Sequence, residues 1–146
     1  MNLSNFAESL SELLLLNNIT PSTLAKTLGC GKGTISRYQS GQKEPSLAML
    51  LRMADYFQCS TDYLLGLETE LYTRVFKPCP TFQERLPVFC KELKITKYQI
   101  EHKAKIAQSA IYKWQNGTSE PSVDSLVKIA EAFGCSVDFI LGRSGV

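Results

Sequence analysis

Residues 24–46 read LAKTLGCGKGTISRYQSGQKEPS. Leu24, Ala25 and Leu28 have the spacing of one helix face, and Gly29 stands where a helix needs a left-handed stop. A few residues on, Thr34 to Gln39 predict a second short helix, closed by Gly41. The small Ala25 lets the two helices approach closely, and Ile35 and Tyr38 plug a core from the second. The stretch therefore predicts two short helices joined by a tight, glycine-bearing turn.

Outward from this pair, the chain stays helical. Phe6, Leu10, Leu13 and Leu14 recur at helical spacing in a preceding helix that ends near Asn17-Asn18. Thr20 reads as the N-cap of the next, with Pro21 at the first helical position, where a missing N–H is harmless. Pro45-Ser46 caps a fourth helix carrying Leu47, Leu50, Leu51, Ala54 and Phe57. Ser60 caps a short fifth, Tyr63-Leu64-Leu65, stopped by Gly66. No segment alternates like a strand.

The chain then says the same thing again. Residues 6–67 lie over residues 82–143 without a gap, and 19 of the 62 aligned positions are identical. One register with that much identity means an internal repeat, and its length is that of a small domain rather than a solenoid unit. Glu44-Pro45-Ser46 lies over Glu120-Pro121-Ser122, Cys59-Ser60 over Cys135-Ser136, and Leu65-Gly66 over Leu141-Gly142. In the second copy Thr96 and Gln99 make a capping-box pattern, and Ser122 and Ser136 start the last two helices. The expected organisation is a first domain over residues 1–67, a connector over 68–81 and a second domain over 82–146. Each domain is all-α with five short helices.

The helix pair and turn form a helix-turn-helix pattern. Followed by Gln39-x-Gly41-x-x-Glu44-Pro45-Ser46, it resembles the Cro and phage-repressor (XRE) family of DNA-binding domains, across nearly all of residues 6–67 and again 82–143. The resemblance implies two tandem lambda-repressor-like domains and double-stranded DNA as partner. It implies that the third helix enters the major groove, while the start of the second helix and the loop after the third hold phosphates. On this chain the implied base-facing residues are Lys32, Gly33, Thr34, Ser36 and Arg37, then Gln108, Ser109, Ala110, Tyr112 and Lys113. Arg37 or Lys32 suits guanine, and Gln108 suits adenine through paired hydrogen bonds. The implied phosphate contacts are Ser22, Thr23, Gln42 and Lys43, then Tyr98, Gln99, Thr118 and Ser119. Tyr38 and Trp114 read as core plugs. Gly33 permits close approach to a base or backbone.

The second copy departs from the pattern. Glu101 replaces the small Ala25, Lys105 replaces Gly29, and Ala107 stands where a cap is expected. These changes predict a crowded helix pair, a distorted turn and weaker DNA affinity, or a partner-binding or dimerising role. The reading faces also differ, KGTISR against QSAIYK, which predicts two different sub-sites.

Charge agrees with this division of labour. The net charge is only +2, but residues 20–43 carry Lys26, Lys32, Arg37 and Lys43 and no acid. Residues 96–119 carry Lys97, Lys103, Lys105 and Lys113 against Glu101 alone. Each unit has a basic middle and acidic flanks, the footprint of a polyanion partner.

Other chemistry finds little support. There is one histidine, His102, and five cysteines without C-x2-C spacing, so no zinc site is expected. Cys59 and Cys135 read as small buried hydrophobes in a reducing compartment, and Cys79, between two prolines, reads as exposed. No nucleophile–base motif and no glycine-rich phosphate loop after a strand points to an enzyme, and no cofactor is implied. No apolar run approaches the ~20 residues of a membrane span, and no secretory signal opens the chain, so the expectation is cytoplasmic.

Two features remain. The connector contains Leu71, Tyr72, Val75 and Phe76, too apolar for a solvated tether; it reads either as an extended strap packed on one unit or as a short helix near residues 69–76. Leu15 and Leu16 lie over Lys91 and Glu92 of the second copy, and Ala48 and Met49 lie over Asp124 and Ser125. That surplus of apolar surface predicts an interface, unless the connector covers it. A homodimer through Leu15 and Leu16, or through the fifth helices, follows as an expectation. The sequence thus supports a transcriptional regulator, most simply a repressor. The alternative is a protein-interaction or antitoxin-like module using the same folds as scaffold.

Overall fold

The computed structural model describes residues 2–71 and 76–144. The chain divides into two compact units, Met1–Val75 and Phe76–Val146. Unit 1 holds α1 (Leu3–Leu16), α2 (Pro21–Leu28), α3 (Lys32–Gln39), α4 (Leu47–Phe57) and α5 (Thr61–Leu64). Unit 2 holds α6 (Phe82–Leu93), α7 (Lys97–Lys103), α8 (Gln108–Gln115), α9 (Val123–Phe133) and α10 (Val137–Leu141). Among the described residues there is no strand, in accord with the all-α expectation. None of the described helices is long and apolar enough to cross a membrane.

Short helices need their ends secured, because intrahelical bonds leave the first amides without acceptors. The hydroxyls of Thr20, Ser46 and Ser60 accept from the amides of Thr23, Met49 and Tyr63 in unit 1. Thr81, Thr96, Ser122 and Ser136 do the same for α6, α7, α9 and α10. At Thr96 the capping box is complete: Gln99 Oε1 accepts the Thr96 amide at 2.8 Å, and the Gln99 amide donates to Thr96 Oγ1 at 3.2 Å.

Each unit closes on its own core. Phe6, Leu10, Leu24, Ile35, Leu50, Met53 and Leu64 have no exposed surface in unit 1, and Leu86, Phe89, Ile100, Val123, Leu126, Ile129 and Ile140 have none in unit 2. The residues of α5 and α10 are buried throughout.

The turn of unit 2 is not distorted, contrary to the expectation drawn from Lys105. Gly29 has φ +72°, and Lys105 takes φ +56° in the same left-handed region. The amide of Cys30 donates to the Ala25 carbonyl at 2.9 Å, and that of Ile106 to the Glu101 carbonyl at 3.2 Å. Unit 2 thus keeps the turn and puts a side chain into a conformation glycine adopts freely. The Glu101 side chain is accommodated half-buried, in a helix one residue shorter than its counterpart. Nor is a cap lost at Ala107, because Gly31 at the matching position of unit 1 also offers no side-chain cap.

The thiols need correction too. Cys59 is buried, but Cys135 is half-buried, as are Cys30, Cys79 and Cys90. Burial holds the Cys90 thiol above its ordinary pKa, with Lys97 acting weakly the other way.

Of the connector, residues 68–71 and 76–81 are not helical; half of the helix reading falls on residues 72–75, which lie outside the described residues. Phe76 belongs to unit 2. Its ring lies 4.3 Å from the Arg143 guanidinium carbon, and the Lys77 amide donates to the Arg143 carbonyl at 2.9 Å. Arg143 itself is held by Asp138 at 2.6 Å, with both side chains 2% exposed. That end of the connector is a packed strap. Leu71 is exposed, and Leu15 and Leu16 are 82% and 62% exposed.

Candidate nucleic-acid interface

The third helix of each unit is fixed from behind by two large side chains. In α3 these are Ile35 and Tyr38, both buried, with the Tyr38 ring edge-on to Phe6 at 5.6 Å and 71°. Burial raises the Tyr38 phenol pKa, and Cys30 nearby adds to it. In α8 the anchors are Ile111 and Trp114, and Trp114 meets Phe82 edge-on at 5.5 Å and 85°. Tyr38 and Trp114 are therefore core plugs, and the same edge-to-face joint orients both helices.

Fixing one face decides what the other presents. At about 100° per residue, positions i, i+1, i+4 and i+5 share a face opposite to i+3 and i+6. On α3 that stripe is Lys32, Gly33, Ser36 and Arg37, all exposed. On α8 it is Gln108, Ser109, Tyr112 and Lys113, also all exposed. Thr34 and Ala110 are half-buried, because their position i+2 points to the flank of the core. Of the ten base-facing residues inferred from sequence, eight share these stripes and these two do not.

The second helices carry the phosphate contacts inferred at their starts. Thr23 is exposed and tied to the cap, its amide donating to Thr20 Oγ1 at 3.2 Å and its hydroxyl 3.0 Å from the same oxygen. Ser22 is half-buried. In unit 2 Tyr98 is 68% exposed, and its ring lies tilted at 44° against His102 with centroids 4.0 Å apart. Gln99 spends its carbonyl oxygen on the capping box, which leaves its amino group to donate. Gln42 and Lys43 are exposed in the loop after α3, and Thr118 and Ser119 in the loop after α8.

Asn116 is the member that sequence reasoning missed. Its Oδ1 accepts the Thr118 amide at 2.9 Å and the Thr118 hydroxyl as well. With Gln108, Ser109, Tyr112, Lys113 and Thr118 it lines a surface groove of about 540 Å³. Its sequence signal was the spacing i+8 from Gln108, one further step along the outward stripe. Polar pins set the ends of both third helices: Gln39 Nε2 donates to Ser11 Oγ at 3.4 Å, and Gln83 Nε2 to the Gln115 carbonyl at 3.2 Å.

Known proteins resemble these two spans in sequence. A family model described as helix-turn-helix matches residues 10–64 and again residues 89–140. The HTH-type transcriptional regulator AnsR of Bacillus subtilis (strain 168) is 38% identical over 66 residues, 45% of this chain and 57% of that protein. The chain therefore spans little more than half of that relative's length. No solved structure gives a significant match. With a capped helix, a left-handed turn and an anchored third helix in both matched spans, the chain belongs to the helix-turn-helix family of XRE type and carries its domain twice.

Proposed function

We propose that the chain is a sequence-specific regulator of transcription that binds double-stranded DNA, most simply a repressor that blocks promoter access. The observation that carries this reading is the repeated polar and basic stripe, held outward by Ile35 and Tyr38 in one unit and by Ile111 and Trp114 in the other. Each third helix enters a major groove. Lys32 or Arg37 reads guanine, and Gln108 reads adenine through its amide. Ser22, Thr23, Gln42 and Lys43, with Tyr98, Gln99, Thr118 and Ser119, hold the flanking phosphates. Because the stripes differ in every residue, the two units read different sub-sites. The relative's description as a transcriptional regulator supports the same class.

The test is binding-site selection from random duplex DNA with the whole chain, repeated with Arg37→Ala and Lys113→Ala. The expected result is one enriched site, with each variant relaxing preference at different positions. A site altered only by Arg37→Ala makes unit 2 an assembly domain. No enrichment by a folded chain rejects the DNA reading.

One observation favours a second reading. Leu15 and Leu16 stand exposed at the end of α1, as a protein-interaction or antitoxin-like module requires of a docking surface. Salt separates the two, because DNA affinity falls steeply as phosphate counterions are released, whereas an apolar contact does not weaken. Within the DNA reading, the same leucine pair joins two copies of the chain.

A further inference from the structure

The two stripes differ in chemistry as well as in identity. On α3 the position one turn into the helix is Ser36, between the open Gly33 and the cationic Arg37; a Cβ added at Gly33 would meet no atom within 4 Å. On α8 the matching position is Tyr112, whose side chain is 65% exposed. Tyr112 stands in the wall of the groove formed with Gln108, Ser109, Lys113, Asn116 and Thr118. Unit 2 thus presents a mostly apolar groove in the middle of its outward stripe, with a lysine beside it. Unit 1 presents hydroxyl, glycine and positive charge.

We infer that unit 2 reads a thymine through its 5-methyl group, seated against the Tyr112 ring, while unit 1 reads a G·C-bearing sub-site. This rests on the DNA-binding reading above. In the major groove the pattern of each base pair consists of donors and acceptors, except for the thymine methyl, which is the one apolar feature. Among the base edges of the major groove, the thymine methyl is the apolar group that an exposed aromatic ring can meet. Lys113, adjacent on the same stripe and exposed, brings its donors to a neighbouring base edge. Gln108, one turn earlier, has the paired donor and acceptor that an adenine edge requires. Methyl and adenine readout together describe an A·T-bearing sub-site. Arg37 and Lys32 have donors only and suit guanine. The operator is therefore asymmetric in composition as well as in sequence.

Uracil tests this, because it differs from thymine at this edge only by the methyl group. The whole chain is first used to select its site from random duplexes. Affinity is then measured for that duplex with each thymine replaced singly by uracil, for the native chain, for Tyr112→Ala and for Tyr112→Phe. Tyr112 is exposed, and circular dichroism checks that the variants fold. The expected result is binding about fourfold weaker for uracil at one position, the worth of one buried methyl. That discrimination is kept by Tyr112→Phe and lost in Tyr112→Ala. Equal binding of thymine and uracil at every position overturns the inference while leaving DNA binding intact. Discrimination that survives in Tyr112→Ala overturns it too. A folded chain that selects no site removes the DNA reading and this inference with it.

Discussion

Arg85 sends its guanidinium into the end of α10, where Nε donates to the Ile140 carbonyl at 3.0 Å and Nη2 to the Phe139 carbonyl at 2.5 Å. Nη1 meets Glu92 at 2.8 Å, and the guanidinium lies over the Phe139 ring at 5.2 Å. The matching residue of unit 1 is Ser9, which cannot reach that far. Truncation leaves two carbonyls without a charged donor inside the unit, so Arg85→Ala should lower its stability by about 2–3 kcal/mol. Trp114 is the single tryptophan and lies in unit 2, so its fluorescence during urea unfolding reports this unit directly; an unchanged midpoint would reject the role. Tyr63 makes a pH-dependent counterpart in unit 1. Burial first, then a hydrogen bond to Glu12, pushes its phenol up to about 12 from 10.0. A raised acid favours its protonated form in the fold. The stabilisation is therefore complete below pH 10 and is lost as pH rises from 10 towards 12. Tyr63→Phe should flatten that alkaline loss relative to the native chain, as read by amide hydrogen exchange in α1 and α5 across this window.

The elements show how a local rule can be broken while the structure it normally signals survives. Lys105 occupies the left-handed stop of α7, a position where a Cβ costs roughly 1 kcal/mol or more. Lys105→Gly should therefore stabilise unit 2 by about 0.5–1 kcal/mol, less than the full strain because glycine gains freedom when unfolded. A higher urea midpoint by Trp114 fluorescence is the expected outcome, and a lower one would mean that the lysine side chain is held by packing. The sequence signal for a distorted turn failed here for a physical reason. Propensity records what a residue prefers, whereas the core contacts of Ile100, Ile111 and Trp114 decide what it must adopt. Where preference and packing agree, the reading was direct. The caps at Thr20, Ser46, Ser60, Thr96, Ser122 and Ser136 all form as their side chains require. The outward stripes were legible because Ile35 and Tyr38 fix the helix rotation, and the same rotation explains why Thr34 and Ala110 turn away from them. Asn116 was legible only as a further step along the outward stripe, since its pairing with Thr118 depends on the loop geometry.

At the scale of the molecule, comparing one copy of the repeat with the other separates what the fold needs from what this chain adds. Among the positions alike in both copies are stops and core: Phe6 and Phe82, Leu10 and Leu86, Ile35 and Ile111, Gly66 and Gly142. Positions that differ while exposed are free of the fold and open to function. The reading stripes are one such set, and Leu15 and Leu16 against Lys91 and Glu92 are another. Unit 2 folds the same helix with a charged pair at that place, so apolarity there is no requirement of the domain. Leaving two leucines in water gains nothing for a monomer, whereas seating them against a second copy removes their surface from solvent. The double substitution Leu15→Lys and Leu16→Glu copies unit 2 onto unit 1 and should leave both folds intact. If the pair joins two chains, sedimentation equilibrium will show the native chain associating with rising concentration and the double variant remaining a monomer. The variant's affinity for an isolated site should stay near that of the native monomer, because neither residue lies on α3 or α8. A native chain that is monomeric at every concentration, or a variant that still associates, would remove Leu15 and Leu16 from the interface.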